Sequence, residues 1–404
     1  MHVFYRCYHF ILKCIVIFIG IPHPRLYQGY SGLEQWTAQW NSEKPVLVVS
    51  DATLQKLGVL KQTLAQLDEK KITWHLYTDV APNPTIDNVE HGLEMYIEHH
   101  CTGIIAIGGG SVMDCAKLIG ARAVRPSKSV KQLKGLFKVL KSLPPLCAIP
   151  TTAGTGSETT VAAVVNDPNT KTKYAVTDFS LVPNDAVLIG ELTQSVPDFI
   201  TAATGIDALT HAIEAYIGTI GLAFSNEKSL QAIDLILKNL KVAYNEGDNL
   251  VAREQMLLAS FYAGQAFTRT SVGYVHAIAH QFGAQYGTAH GLANSVLLMP
   301  VLRFYGKVIY PKLAEIADYC KLTQPQQSTE QKALLLLKTF DDLLASLAIP
   351  KTLPEIKVND ISGISQAAMK EAHPDYPVPV FMSHSQCEAI VLQLTQQSSQ
   401  QSSQ

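Results

Sequence analysis

The sequence predicts an α/β domain built on a parallel sheet, followed by an all-α domain. Three observations predict it. Short apolar strands alternate with helical patterns over roughly the first 190 residues. Two of those strands run straight into loops of small residues. From about residue 193 the chain changes to long helical runs with no strand alternation.

A chain of 404 residues is long enough for two domains, each with a substantial core. Hydrophobic residues make up 47% and charged ones 16%, the make-up of a compact globular enzyme. The net charge of −2 comes with no basic stripe and no Lys/Arg cluster interleaved with aromatics, so nucleic acid is not an expected partner. The seven cysteines are dispersed and never spaced C-x-x-C. That usage points to a reducing, cytoplasmic setting without a disulfide framework.

Residues 1–22 form an apolar extension. Its segment YHFILKCIVIFIGI (8–21) has Arg6 before it and Lys13 inside it. A membrane-spanning helix needs about 20 apolar residues, and the exit IPHPRLYQG lacks a small-x-small cleavage site. A packed or interfacial helix is expected, rather than a membrane anchor or a signal peptide. PVLVVS (45–50) is a β-rich strand ending at Asp51, followed by a helical pattern over Leu54–Leu67. ITWHLYTDV (72–80) is a second strand, closed by PNPT (82–85). GIIAIGGGS (103–111) is a buried strand that enters three glycines and then a helix near Val112. LCAIPT (146–151) is a fourth, ending in TTAGTGSE. Ligands of parallel sheets bind at the carboxyl ends of the strands, where both small-residue loops lie.

Gly108, Gly109 and Gly110 allow close approach of backbone, and Ser111 stands where a helix begins. Exposed N–H groups and the helix dipole there suit a pyrophosphate. The same glycines could equally be a tight turn with no ligand; GGGS matches neither G-x-G-x-x-G nor a P-loop. The second loop tips the balance. Thr151, Thr152, Thr155 and Ser157 place four hydroxyls within seven residues, a set suited to phosphate, ribose or carboxamide. Asp51 is placed to accept hydrogen bonds from an adenosine ribose, or simply to cap the helix that follows. Together these features describe a Rossmann-like dinucleotide-binding domain over 23–192.

The helical domain, 193–395, carries the metal chemistry. In TGIDALTHAIEAYIG (204–218), Asp207 and His211 stand four apart on one helical face, which Glu214 continues. The pair can bite one divalent ion or simply form an Asp–His hydrogen bond on a helix surface, and the segment alone favours the latter slightly; against it, an unpaired acid in so apolar a helix would be costly. In GYVHAIAHQFGAQYGTAHGLAN (273–294), His276 and His280 repeat the four-residue spacing, and His290 follows a Tyr-Gly break. A carboxylate with imidazoles and an open position is the pattern of catalytic Zn²⁺ or non-haem Fe²⁺. All five groups on one ion would leave little room for a substrate, so one histidine stands off; spacing alone does not say which. The tail, 396–404, is low-complexity and expected to be disordered.

GGGSVMDCAK, PTTAGTGSE, GIDALTHAIEAY and GYVHAIAHQFGAQYGTAHGLAN, in this order and spacing, resemble the iron-containing (group III) alcohol dehydrogenases over roughly residues 23–395. The resemblance implies a dehydroquinate synthase-like architecture. It implies a metal, Fe²⁺ with Zn²⁺ as the alternative, on Asp207, His211, His276 and His290, with His280 beside the nicotinamide as catalytic helper. It also implies NAD contacts from Asp51, Gly108, Gly109, Gly110, Ser111, Asp114, Thr151, Thr152, Thr155, Ser157 and Lys173. The substrate would be an alcohol/aldehyde pair and the assembly a homodimer. Three positions depart from the family's pattern: Gly190 in LIGEL, Met299-Pro300, and AHPDYPVPVFM (372–382) in place of an Asn-Pro-Arg element. All three bear on the substrate pocket. The chemistry expected is activation of the alcohol hydroxyl by the metal, hydride transfer to NAD⁺, and proton removal by His280 or a ribose hydroxyl. Two rivals are a lyase of the dehydroquinate-synthase type, which needs bases for an anionic substrate, and a non-enzymatic NAD-binding scaffold.

Overall fold

In the computed structural model, which describes residues 2–41, 43–170 and 172–395, the chain divides into two compact units. One comprises Ile21–Val196 with Asp248–Gly264; the other comprises Met1–Gly20, Pro197–Gly247 and the chain from Gln265 onward.

The first unit is built on strands β1 (Arg25–Gln28), β2 (Val46–Val49), β3 (Trp74–Tyr77), β4 (Gly103–Gly108), β5 (Gly135–Leu136), β6 (Leu146–Pro150), β7 (Ala162–Asp167), β8 (Thr172–Thr177) and β9 (Asp185–Leu188). Six of them form one sheet in the order β1-β9-β6-β4-β2-β3, every pairing parallel. Alternate residues of the central strands feed two separate cores. Val46, Val48, Ile105, Ile107 and Ile149 pack with Leu33 and Leu67, while Leu47, Val49, Ile104 and Ala106 pack with Val112, Ala116 and Ile119. Fully burying such a side chain stabilises the fold by about 1.5–3 kcal/mol, so both faces must be covered by helices.

The four predicted strands are present, slightly shortened. The edge strand β1 and the strand β9 were not anticipated, nor was the small sheet β5-β8-β7. The single helix expected over Leu54–Leu67 is two helices, Ala52–Lys56 and Lys61–Glu69. Gly58, at φ +74°, breaks it between them, in a region that disfavours side chains.

The helix Leu250–Thr270 contributes its residues up to Gly264 to this unit, resting on the TTAGTGSE loop. A Cβ on Gly264 would stand 2.3 Å from Thr159 Oγ1 and 2.8 Å from the Gly156 carbonyl oxygen. Gly156 itself sits at φ +59°. Gly264→Ala is therefore expected to lower stability by about 1–3 kcal/mol through overpacking. Urea unfolding of the variant checks it; an unchanged midpoint would mean that helix and loop separate freely.

The second unit is helical. The apolar extension is one helix, His2–Ile19. It packs through Arg6, which donates to the carbonyls of Val378 and Pro379 and lies over the Phe381 ring, and through Tyr5 against His373. Asp198–Ile217 is buried along nearly its whole length from Thr201 on, and Tyr274–Tyr286 and His290–Tyr305 follow in the same core. The long apolar run His290–Tyr319 is mostly buried, as a core helix is. The polar tail expected to be disordered lies outside the described residues.

Candidate metal centre and nucleotide loops

Asp207 and His211 project from one face of Asp198–Ile217, His276 from the first turn of Tyr274–Tyr286, and His290 opens His290–Tyr305. One donor atom from each lies within 4.8 Å of all the others. Ligand bonds of about 2.0–2.2 Å put donors at most about 4.4 Å apart, so sub-ångström adjustment closes this set on one ion. Asp207 Oδ1 lies 3.6 Å from His290 Nε2 and 3.8 Å from His276 Nε2.

Three of the four side chains are buried and the fourth, His290, is 40% exposed, which leaves the site open on one side. Phe267 stacks on His211 with ring centres 4.2 Å apart, an apolar wall behind that ligand. Burial holds His276 well below the ordinary imidazole value, and positive charge on His290 or His280 lowers it further, so it is neutral. Its Nε2 is buried with no hydrogen-bond partner. A neutral imidazole with an unused buried lone pair, beside a carboxylate and two more imidazoles, is a donor set that fits Fe²⁺ or Zn²⁺. Burial also raises Asp207 above the usual carboxylate range, opposed by His211 and by the amide of Asn294. Asn294 Nδ2 donates to Asp207 Oδ1 at 2.6 Å and lies 3.2 Å from His290 Nε2.

His280 is not in the four-donor group. Its Nδ1 is 2.6 Å from Glu371 Oε1, and Glu371 also accepts from Gln281 Nε2 and from the Tyr376 hydroxyl, both at 2.8 Å. Its ring stacks on His290 with centres 5.3 Å apart. The structure thus brings Asp207, His211, His276 and His290 together and sets His280 one helical turn away.

Glu371, Asn294 and Glu214 were not assigned roles from sequence. Glu214 had a signal, since it continues the Asp207–His211 face; Glu371 had none, standing 91 residues beyond His280. Of the departures, Gly190 has a packing cause, because a Cβ there would meet Glu254 Cγ at 2.6 Å and Leu250 Cδ1 at 2.8 Å. His373, in the segment replacing the Asn-Pro-Arg element, pairs with the Tyr274 hydroxyl at 2.6 Å. Arg269, the base nearest His276 in sequence, donates to the Gln265 carbonyl and lies over the Phe224 ring.

In the α/β unit, Gly109 caps the helix Gly110–Val124. Gly108 has no room for a side chain, since a Cβ would meet Val112 at 2.6 Å. Thr152 and Thr155 crowd Gly109 and Gly110: their hydroxyls lie 3.3 and 3.1 Å from where Cβ atoms would stand. The loop Thr151–Ser157 therefore closes over the glycines. Asp114 is half-buried and accepts from Ser157 Oγ at 2.8 Å and Val164 N at 2.9 Å. Lys117, fully buried and lowered by burial to about 8, donates to Ser157 Oγ, Thr160 Oγ1 and the carbonyls of Thr160 and Ala162. Asp114, Ser157 and Lys117 thus pin the loop to the helix, a role sequence reading did not give them. A pocket alongside is lined by Asn83, Ser111, Asp114 and Lys173. Lys173 donates to Asn83 Oδ1 at 2.9 Å. Asp51 follows β2 by two residues, and β2 lies beside β4 in the sheet. Its Oδ1 accepts from Thr53 N and Leu54 N at 2.9 and 3.0 Å, so it is a helix cap whatever else it does.

Comparison with known proteins bears on this arrangement. Residues 24–189 match the sequence model described as iron-containing alcohol dehydrogenase, and residues 201–395 match the C-terminal model of the Fe-containing alcohol dehydrogenase family. A 1,3-propanediol dehydrogenase from Citrobacter freundii is 38% identical, covering 82% of this chain and 86% of that protein. An NADPH-dependent butanol dehydrogenase from Clostridium saccharobutylicum is 35% identical, covering 86% and 90%. Among solved structures, a 1,3-propanediol oxidoreductase superposes with a TM-score of 0.86 at 33% identity, over 93% of this chain and 99% of that one.

Proposed function

This chain belongs to the iron-containing alcohol dehydrogenase family, and from that premise we propose that it interconverts primary alcohols and aldehydes with NAD(H), using Fe²⁺ held by Asp207, His211, His276 and His290. The observation that carries the reading is the four-donor cluster, buried on three members and open at His290. Bound there, a divalent ion makes an alcohol hydroxyl a stronger acid, and NAD supplies the hydride acceptor.

The chain's own residues do the rest. The neutral His276 offers the ion a free lone pair, and any proton that burial keeps on Asp207 would be displaced by the ion. Phe267 backs the His211 ring and orients it by stacking. His280 receives the proton released by the alcohol. Its Nδ1 faces the Glu371 carboxylate, which leaves Nε2 as the accepting atom. In the other unit the closed loop over Gly108–Ser111 supports pyrophosphate, with Thr151, Thr152, Thr155 and Lys173 as further contacts and with Asp114 and Ser157 holding the loop. Asp51 would meet the adenosine ribose. Seven free cysteines fit a reducing cytoplasm, and a homodimer is the assembly proposed.

NADH formation from a panel of primary alcohols, with and without added Fe²⁺, tests the reading. Strict dependence on the metal is expected. Within it, His276→Ala should release the ion, whereas His280→Ala should keep it and lose about 10²–10⁴-fold in turnover. If His280→Ala strips the ion while His276→Ala retains it, the two roles are reversed.

A further inference from the structure

We infer that Glu214 is a positioning residue for the metal centre: it fixes the tautomer of His276 so that Nε2 faces the ion. The inference rests on the ligand set proposed above. Glu214 Oε1 accepts from Val275 N at 2.8 Å, and Oε2 accepts from Gly273 N at 2.9 Å. The same Oε2 stands 2.6 Å from His276 Nδ1. Backbone N–H groups can only donate, so both carboxylate oxygens are committed as acceptors. With Glu214 ionised, the third group at this carboxylate donates as well, which places the imidazole proton on Nδ1. Nε2 is left with its lone pair, buried, without a hydrogen-bond partner, and directed among Asp207 and His290.

The carboxylate also sets the start of the ligand helix. Gly273 caps Tyr274–Tyr286, and Glu214 holds the N–H groups on either side of Tyr274 while gripping the ligand one residue further on. Gly273 must be glycine for this, because a Cβ would stand 2.7 Å from Glu214 Oε1. Glutamine at 214 would keep the volume and lose the logic. It offers one acceptor oxygen and one NH₂ donor to three N–H donors, and neither backbone N–H can turn away. Whichever way the amide turns, one backbone N–H loses its acceptor: with oxygen toward His276, Val275 N faces the NH₂, and with NH₂ toward His276 the imidazole takes its proton on Nε2, which blocks the lone pair the ion needs.

The test is metal affinity of the full chain, measured by competition with a chelator for Fe²⁺ or Co²⁺ under anaerobic conditions, beside the unfolding temperature of the metal-free protein. Glu214→Gln should bind on the order of 10–100-fold more weakly and shift the visible spectrum of bound Co²⁺, with the metal-free unfolding temperature held within a few degrees. Affinity equal to the unmutated protein would overturn the inference alone. A loss of metal-free stability that accounts for the whole loss of affinity would also overturn it, making Glu214 merely structural. Failure of the unmutated chain to bind metal would remove the ligand reading and this inference with it.

Discussion

His211→Ala is expected to yield a folded chain that holds no divalent ion and shows at least about a thousandfold lower alcohol oxidation. Removing one of four ligands leaves three donors, one of them partly exposed, and a catalytic ion on three ligands with no replacement is readily lost. His211 also fills space between Phe267 and His276, with ring centres at 4.2 and 4.5 Å. Its truncation therefore costs packing as well. His290→Ala separates the two effects, because that side chain is 40% exposed and contributes little to the core. Elemental analysis of both variants is the check, with the unmutated protein purified in parallel. Full metal occupancy in either variant would take that residue out of the site, whatever the turnover.

Asp51 carries the second large effect. A carboxylate at the end of β2 accepts hydrogen bonds from a free ribose 2′-hydroxyl and repels a 2′-phosphate. Asp79 forms a backbone bridge with Asp51, so a second acidic residue adjoins it. Lys56, the nearest base downstream in sequence, stands at the end of the following short helix. Like charges brought together cost several kcal/mol, so NAD is expected to be preferred over NADP by on the order of a hundredfold or more in kcat/KM. Because Oδ1 caps that helix, Asp51→Gly removes a cap too. Glycine costs only a few tenths of a kcal/mol at such a position. The variant should therefore fold normally and narrow the preference mainly by improving NADP use. Comparable efficiency with both cofactors in the unmutated enzyme would reduce Asp51 to a cap.

The parts legible in the sequence were those with a local signature. Strands such as GIIAIG announce themselves by apolar runs ending in glycine, and Asp207 and His211 by helical spacing. What the sequence left open depends on distance between elements. His276–His280 and Asp207–His211 share one spacing, so periodicity assigns both pairs to a face without saying which member turns toward the ion. The partner of His280, Glu371, arrives from another helix. Asp114 has a loop-holding role that the sequence does not show, for a related reason. Its place in GGGSVMDCAK suggests ligand contact, and nothing local announces that its carboxylate also accepts from Ser157 and Val164. β1 and β9 escaped notice because short segments such as RLYQ carry no apolar run of their own; β1 exists by pairing with β9, and β9 pairs with β6 as well.

The most direct measurement of the central claim is metal content and alcohol-dependent NADH formation on one anaerobically purified sample, before and after chelation. The account predicts about one divalent ion per chain, activity lost with the ion, and activity restored by Fe²⁺. Undiminished alcohol oxidation by a chain freed of metal would contradict it.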